Sequence, residues 1–260
     1  NALAPMKLAR IIIFPIKSLD GLSVESARLT AGGILQNDRI FAIYDTSGKV
    51  VNGKRTARVH ELRCDFDLAV REVRLWPNGQ TPRQFQLDDP APIEEWLGDF
   101  FGFPVELRHD AQKGFPDDRE AFGPTIVSDA SLRAVQNWFP DLPIQGVRRR
   151  FRANLELLDE KPFCEDALFG AAGELKPFQI GETRFFGHNP CSRCVVPTRD
   201  PDTAQPVGEF QKRFMQLRKE SLPPWANAQR FNHFYKFAVN TSVPSSEAGK
   251  QLRAGDSVAN

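Results

Sequence analysis

A chain of 260 residues with 41% apolar residues, 21 of them phenylalanine, is long enough for one large domain or two ordinary ones around a substantial core. The 34 basic and 33 acidic residues leave a formal charge of +1, which removes the electrostatic case for a nucleic-acid partner. Four irregularly spaced cysteines are no disulfide framework and suit a reducing compartment, and no apolar run approaches a membrane span. The expected setting is cytoplasmic, with no membrane partner; the opening Asn1–Met6 is too short for a signal peptide.

In chain order, Leu8–Ile16 is an isoleucine-rich run that reads as a buried strand, with Lys17-Ser18 just past its end. On its own that lysine–hydroxyl pair is an ordinary surface turn. Alternation over Leu22–Leu29 predicts a second strand and Gly32-Gly33 a turn. Arg39–Tyr44 predicts a third strand, with Arg39 at its start as an ion-pair partner for Asp38 or Asp45. Asp65–Trp76 alternates as two strands around a turn. The period then changes: Ile93, Trp96, Leu97, Phe100 and Phe101 recur at helical spacing behind acidic residues and prolines, an amphipathic helix whose aromatic stripe is core. Residues 110–124 carry turn formers and mixed charge without periodicity and read as a mobile loop offering a substrate or donor surface.

Ser128 reads as the N-cap of a helix through Phe139, with Ser131 part of the helix start because no paired base is visible. Within Arg148–Arg152 the run itself reads as a solvated face. Beyond it, Phe151–Leu158 reads as a strand, and a two-residue period puts Arg152 and Asn154 on one face, where a planar guanidinium suits phosphate. Glu174–Phe186 predicts two short strands around Gly181. Glu209–Glu220 predicts a basic helix with Phe210, Phe214 and Leu217 as its apolar stripe. Its face of Lys212, Arg213, Arg218 and Lys219 is either solvated or a dock for an acidic redox partner. Phe231–Val239 predicts a closing strand.

Chemistry concentrates between the last of these elements, in Asn189–Thr203, which holds Cys191-Ser192-Arg193-Cys194 between strand-like runs. A structural zinc needs four ligands, yet Cys64 and Cys164 are remote and His188 offers only a third. A thioredoxin-type dithiol needs a long helix, which Pro197 forbids. A lone thiolate binding a soft metal remains, and a non-catalytic binding module with a structural zinc stays open beside it.

Cys191-Ser192-Arg193-Cys194 followed by Asp200-Pro201-Asp202-Thr203 resembles the signature of MOSC-domain proteins, in the branch of the mitochondrial amidoxime reducing component. Phe14-Pro15-Ile16-Lys17-Ser18, Asp38-Arg39-Ile40-Phe41, Ser128–Leu132, Phe151-Arg152-Ala153-Asn154 and Gly255–Val258 are similar to further family blocks, in the family's order. The resemblance implies a β-rich α+β protein with three or four helices, built as an N-terminal β-barrel-like domain (6–110) packed on a MOSC β-barrel (111–260). It implies molybdenum cofactor (molybdopterin), with Cys194 as catalytic residue and metal ligand and with Lys17, Ser18, Arg39, Arg152 and Asn154 holding pterin and phosphate. The activity implied is reduction of a small N-hydroxylated substrate with electrons from a separate flavoprotein, ferredoxin or cytochrome, since no Rossmann-type glycine loop follows the first strand. An alternative within the same resemblance is a sulfur carrier with a persulfide on Cys194; pyridoxal phosphate binding and metal–sulfur clusters are looser family associations. The sequence departs from the family at Ala121-Phe122, where relatives carry hydroxyls, at Ala153 for a proline, and at Thr203-Ala204 for Thr-Gly.

Overall fold

The computed structural model describes residues 6–118 and 120–259. Strand β1 (Lys7–Ile13) follows from its β-branched run, whose Leu8, Ile11 and Ile13 are buried. The alternation over Leu22–Leu29 yields two short strands, β2 (Leu22–Val24) and β3 (Ser26–Arg28), that pair with different partners. Strand β4 (Phe41–Asp45) starts later than its sequence suggests because Arg39 has φ +50°, a left-handed value outside the range of regular strand backbone. The expected hairpin appears as β5 (Leu62–Asp67) and β6 (Glu72–Pro77), and β7 (Arg83–Gln86) extends it to three strands. Helix α1 (Pro90–Phe101) begins with proline at its first position and ends at Gly102 (φ +81°), and it buries Ile93, Leu97, Phe100 and Phe101. Strand β8 (Val105–His109) pairs with β4.

The second half opens with β9 (Ile126–Ser128) and α2 (Asp129–Trp138), capped as expected by Ser128. Helix α3 (Ile144–Phe151) was not legible as a helix. The arginine run forms its last turn, where the negative end of the helix dipole favours cations. It ends on Arg152 at φ +52°, so the next strand, β10 (Leu155–Leu158), begins four residues later than predicted and Arg152 and Asn154 share no strand face. Then come β11 (Lys176–Ile180), β12 (Thr183–Ser192), α4 (Phe210–Glu220), β13 (Lys236–Ser242), β14 (Gln251–Arg253) and β15 (Val258–Ala259). Strand β12 carries Cys191 inside it, whereas Val196–Thr198 is a 3-10 turn instead of a strand-like run.

The largest sheet has eight strands in the order β15-β11-β12-β13-β9-β10-β1-β2. Only β9 and β10 run parallel, joined through α2 and α3, and no sheet closes on itself among the described residues. One face of this sheet buries Leu8, Ile11, Leu155, Phe185 and Val239; the other packs Val127, Phe237 and Ala238 against α2, α3 and α4. A separate core of Ile16, Phe41, Val73, Leu75, Ile93 and Leu97 fills the N-terminal body between β4–β8, the β5–β7 sheet and α1. The result is β-rich α+β with four α-helices among the described residues, as expected.

Candidate functional site

Past the end of β1, Phe14–Lys17 runs beside Arg39–Phe41. Arg39 N donates to Phe14 O at 2.7 Å and Lys17 N to Phe41 O at 2.8 Å, which brings two distant sequence blocks into register. The Arg39 guanidinium bonds Asp38 Oδ2 through Nε (3.1 Å) and Asn154 Oδ1 through Nη2 (2.7 Å). Burial pushes the Asp38 carboxyl up, while Arg39, the Phe14 N–H at 2.8 Å and the Asn154 amide at 3.0 Å pull against it. Asn154 is fully buried, and its amide hydrogens go to Asp38 Oδ1 and Ile12 O while its oxygen also takes Thr125. Its side chain therefore orients Arg39 from behind.

Lys17 is nearly buried, and its ammonium donates to the carbonyls of Phe115 (2.9 Å) and Pro116 (3.1 Å) and pairs with Asp117 at 2.7 Å. The loop read as mobile is thus tied to β1's end through one lysine. Asp117 is 80% exposed at the side chain. Crowding by the chain works against its charge, but Lys17, Arg39 and Arg152 outweigh that and hold its carboxyl below the usual range. Farther along the same loop, Ala121 is buried and Phe122 exposed, where the family carries hydroxyls.

Arg152 lies over the Phe14 ring, its guanidinium carbon 4.1 Å from the centroid, and its side chain has no hydrogen bond or ion pair among the described residues. Burial pushes its pKa down, with Arg39 adding to the effect and Asp20 and Asp117 opposing it. Ser18, Arg39 and Arg152 all have left-handed backbone, at φ +74°, +50° and +52°. Such positions cost about 1–3 kcal/mol each for non-glycine residues and cluster where side chains must be aimed. Half of the six candidate residues share this property.

The two cysteines of the motif differ. Cys191, half-buried near the end of β12, receives Arg193 Nη1 at 3.1 Å and lies in the field of Arg39. Cys194 is exposed, makes no hydrogen bond among the described residues and lies near the buried Tyr235. Arg193 turns inward over Phe151 and bonds the Phe151 carbonyl, so it ties the cysteine segment to the residue before Arg152. His188, the third zinc candidate, is engaged with Ser242 Oγ at 2.7 Å. Among the described residues no three His, Cys, Asp or Glu side chains gather to hold a metal, so any metal here would draw most of its ligands from elsewhere.

Lys17, Arg39, Asn154 and Arg152 are therefore brought into one cluster, with Ser18 adjoining in sequence, while Cys194 stands on the loop leaving β12. Sequence reasoning missed Asp117 and the inward role of Arg193, although Arg193 sits inside the motif itself. It also misplaced Arg218. That residue is 1% exposed, paired with Asp166 and packed over Phe163 and Phe231, so it belongs to the core and not to a docking face. Chemically, three cations around one exposed carboxylate can hold a multiply charged anion. No helix among the described residues is long and apolar enough to cross a membrane.

Residues 6–102 match the MOSC N-terminal beta barrel domain and residues 120–259 the MOSC domain. The chain is 23% identical over 257 residues to molybdenum cofactor sulfurase of Oryza sativa subsp. japonica, covering 79% of this chain and 30% of that protein. It is 22% identical over 259 residues to molybdenum cofactor sulfurase of Danio rerio, covering 81% and 30%. The chain thus spans under a third of the length of both curated relatives. Among solved structures, the YUAD protein from Bacillus subtilis aligns over 98% of this chain and 94% of that chain, at 11% identity and a TM-score of 0.38.

Proposed function

The chain belongs to the MOSC-domain family, and from that premise we propose that it binds molybdenum cofactor and reduces small N-hydroxylated substrates with electrons from a separate donor protein. The observation that carries the binding is the guanidinium of Arg152, which has no polar partner among the described residues, beside Arg39 and Lys17, a surplus of cation with one exposed carboxylate between. A phosphate-bearing pterin fits that donor set. Lys17, Ser18, Arg39 and Arg152 would hold its anionic and polar atoms, Asn154 and Asp38 would keep Arg39 aimed, and Cys194 would offer its exposed thiolate to the metal. When bound, the cofactor supplies two-electron removal of oxygen from an N–OH group, two protons being consumed and the N–H compound and water released. The protein's share is position and charge. The donor expected is a flavoprotein, ferredoxin or cytochrome, and the expected setting remains cytoplasmic.

A second reading is favoured by the sulfurase relatives: Cys194 carries a persulfide for metal–sulfur cofactor assembly. One experiment separates the two. Protein made in a host that synthesises molybdenum cofactor is assayed for molybdenum, pterin fluorescence and intact mass. Near-stoichiometric metal and pterin support the reductase reading; their absence together with an added sulfur on Cys194 overturns it.

A further inference from the structure

The Asp200-Pro201-Asp202-Thr203 motif lies outside the cation cluster, yet its surroundings are specific. Arg63 of β5 and Arg149 of α3 come from opposite sides of the chain and grip the same two acceptors. Arg63 reaches Asp202 Oδ1 at 3.5 Å and Pro201 O at 3.0 Å; Arg149 reaches Asp202 Oδ1 at 2.8 Å and Pro201 O at 2.9 Å. Asp20 closes the fork, 3.2 Å from Arg63 Nη1 and 3.8 Å from Arg149 Nη2. Upstream, the fully buried Arg150 bonds the carbonyls of Pro197 (3.0 Å) and Arg199, and Arg199 in turn bonds Gly53 O of the N-terminal body. Every anchor falls within eight residues after Cys194.

A carbonyl and a carboxylate, each bound by two planar guanidiniums, fix a loop in both position and orientation, which single contacts do not. A merely solvated Asp-Pro-Asp-Thr turn needs no arginine from either body. We infer that Asp202 is a positioning residue: clamped between Arg63 and Arg149, it registers the loop after β12 against the N-terminal body and so holds Cys194 in place. This deepens the metal-ligand role proposed for Cys194 and rests on it for one of the two measurements below.

The first measurement is amide hydrogen exchange on the full chain at Thr198, Arg199 and Asp200, whose N–H groups are bonded within the loop. In Asp202→Ala their protection is expected to fall at least about tenfold while β5 and β13 are unchanged. Arg63→Ala and Arg149→Ala should each release the same amides, and the double variant should release them by less than the sum of the two single effects, since both arginines hold the same two acceptors. Asp202→Asn, which keeps an acceptor, should restore part of the protection. Unchanged protection in Asp202→Ala, or strictly additive losses, overturns the clamp.

The second measurement is molybdenum per protein in the same variants, with the thermal midpoint as control. Metal should fall severalfold in Asp202→Ala at a near wild-type midpoint. A released loop with full metal content overturns the positioning role. A wild type without molybdenum would count against the cofactor reading itself, and the exchange data would still decide the clamp.

Discussion

Asp117 places one carboxylate oxygen 2.7 Å from the Lys17 ammonium and the other 4.0 Å from the Arg39 guanidinium, so the chain's own acid bridges two of the three cations proposed to hold an anionic ligand. An anion entering this cluster has to compete with it. Asp117→Asn should therefore tighten binding of inorganic phosphate by roughly tenfold at low salt, with the gain shrinking as ionic strength rises. Lys17→Ala should weaken it. Titration calorimetry reads both, and equal affinity in Asp117→Asn and wild type would show that the carboxylate is not a competitor.

The two motif cysteines should separate cleanly. Cys194→Ser is expected to lose bound molybdenum, whereas Cys191→Ser, whose thiol is occupied by Arg193, should keep it. Elemental analysis of protein from a cofactor-producing host decides, and equal loss in both variants would sink the assignment.

Glu165 is buried, and that burial, reinforced by Asp166, raises its carboxyl from 4.5 to about 7. Its Oε2 accepts from Ser131 Oγ at 2.9 Å, but Oε1 has no partner among the described residues. Because the folded value lies above the unfolded one, the associated stability is complete below about pH 4.5 and is lost as pH rises through about 7. The difference amounts to about 3 kcal/mol. Glu165→Gln should thus raise the thermal midpoint at pH 8 and leave it nearly unchanged at pH 4.5. An increment independent of pH would contradict it.

On α4 the two neighbouring cations should behave oppositely. Arg218→Ala strands the buried Asp166 and should cost about 3–5 kcal/mol in chemical denaturation. Lys219→Glu, on the exposed face, should stay within about 0.5 kcal/mol. Docking of an acidic donor on this face is therefore tested at Lys219 and Arg213. Unchanged donor-driven turnover after both charge reversals would exclude the face.

Much of this architecture was legible because it follows period. The isoleucines of β1, the β5–β6 hairpin, the stripe of α1 and the Ser128 cap all announce themselves locally. What was missed depends on long-range contacts. The Arg148–Arg150 run looks like solvated charge until α3 is seen to turn Arg150 into the interior against the Pro197 and Arg199 carbonyls. Arg152 and Asn154 were grouped by an alternation that the left-handed cap at Arg152 abolishes, and they meet instead through Arg39. Asp117 carried no motif; only its approach to Lys17, 100 positions away, gives it meaning.

Strand β1 lies between β10 and β2 in the large sheet, and Leu8 exchanges backbone hydrogen bonds with Gly255 and Asp256 near the other end of the described chain. Most of that sheet is translated more than a hundred residues after β1, so the first strand leaves the ribosome with β2 close behind it but long before β10 exists. Assembly of Lys17 with Asn154 and the cysteine loop must then be a late event in biosynthesis. A fragment starting at residue 120 would expose the unpaired edge of β10, a template for aggregation in place of a foldable half.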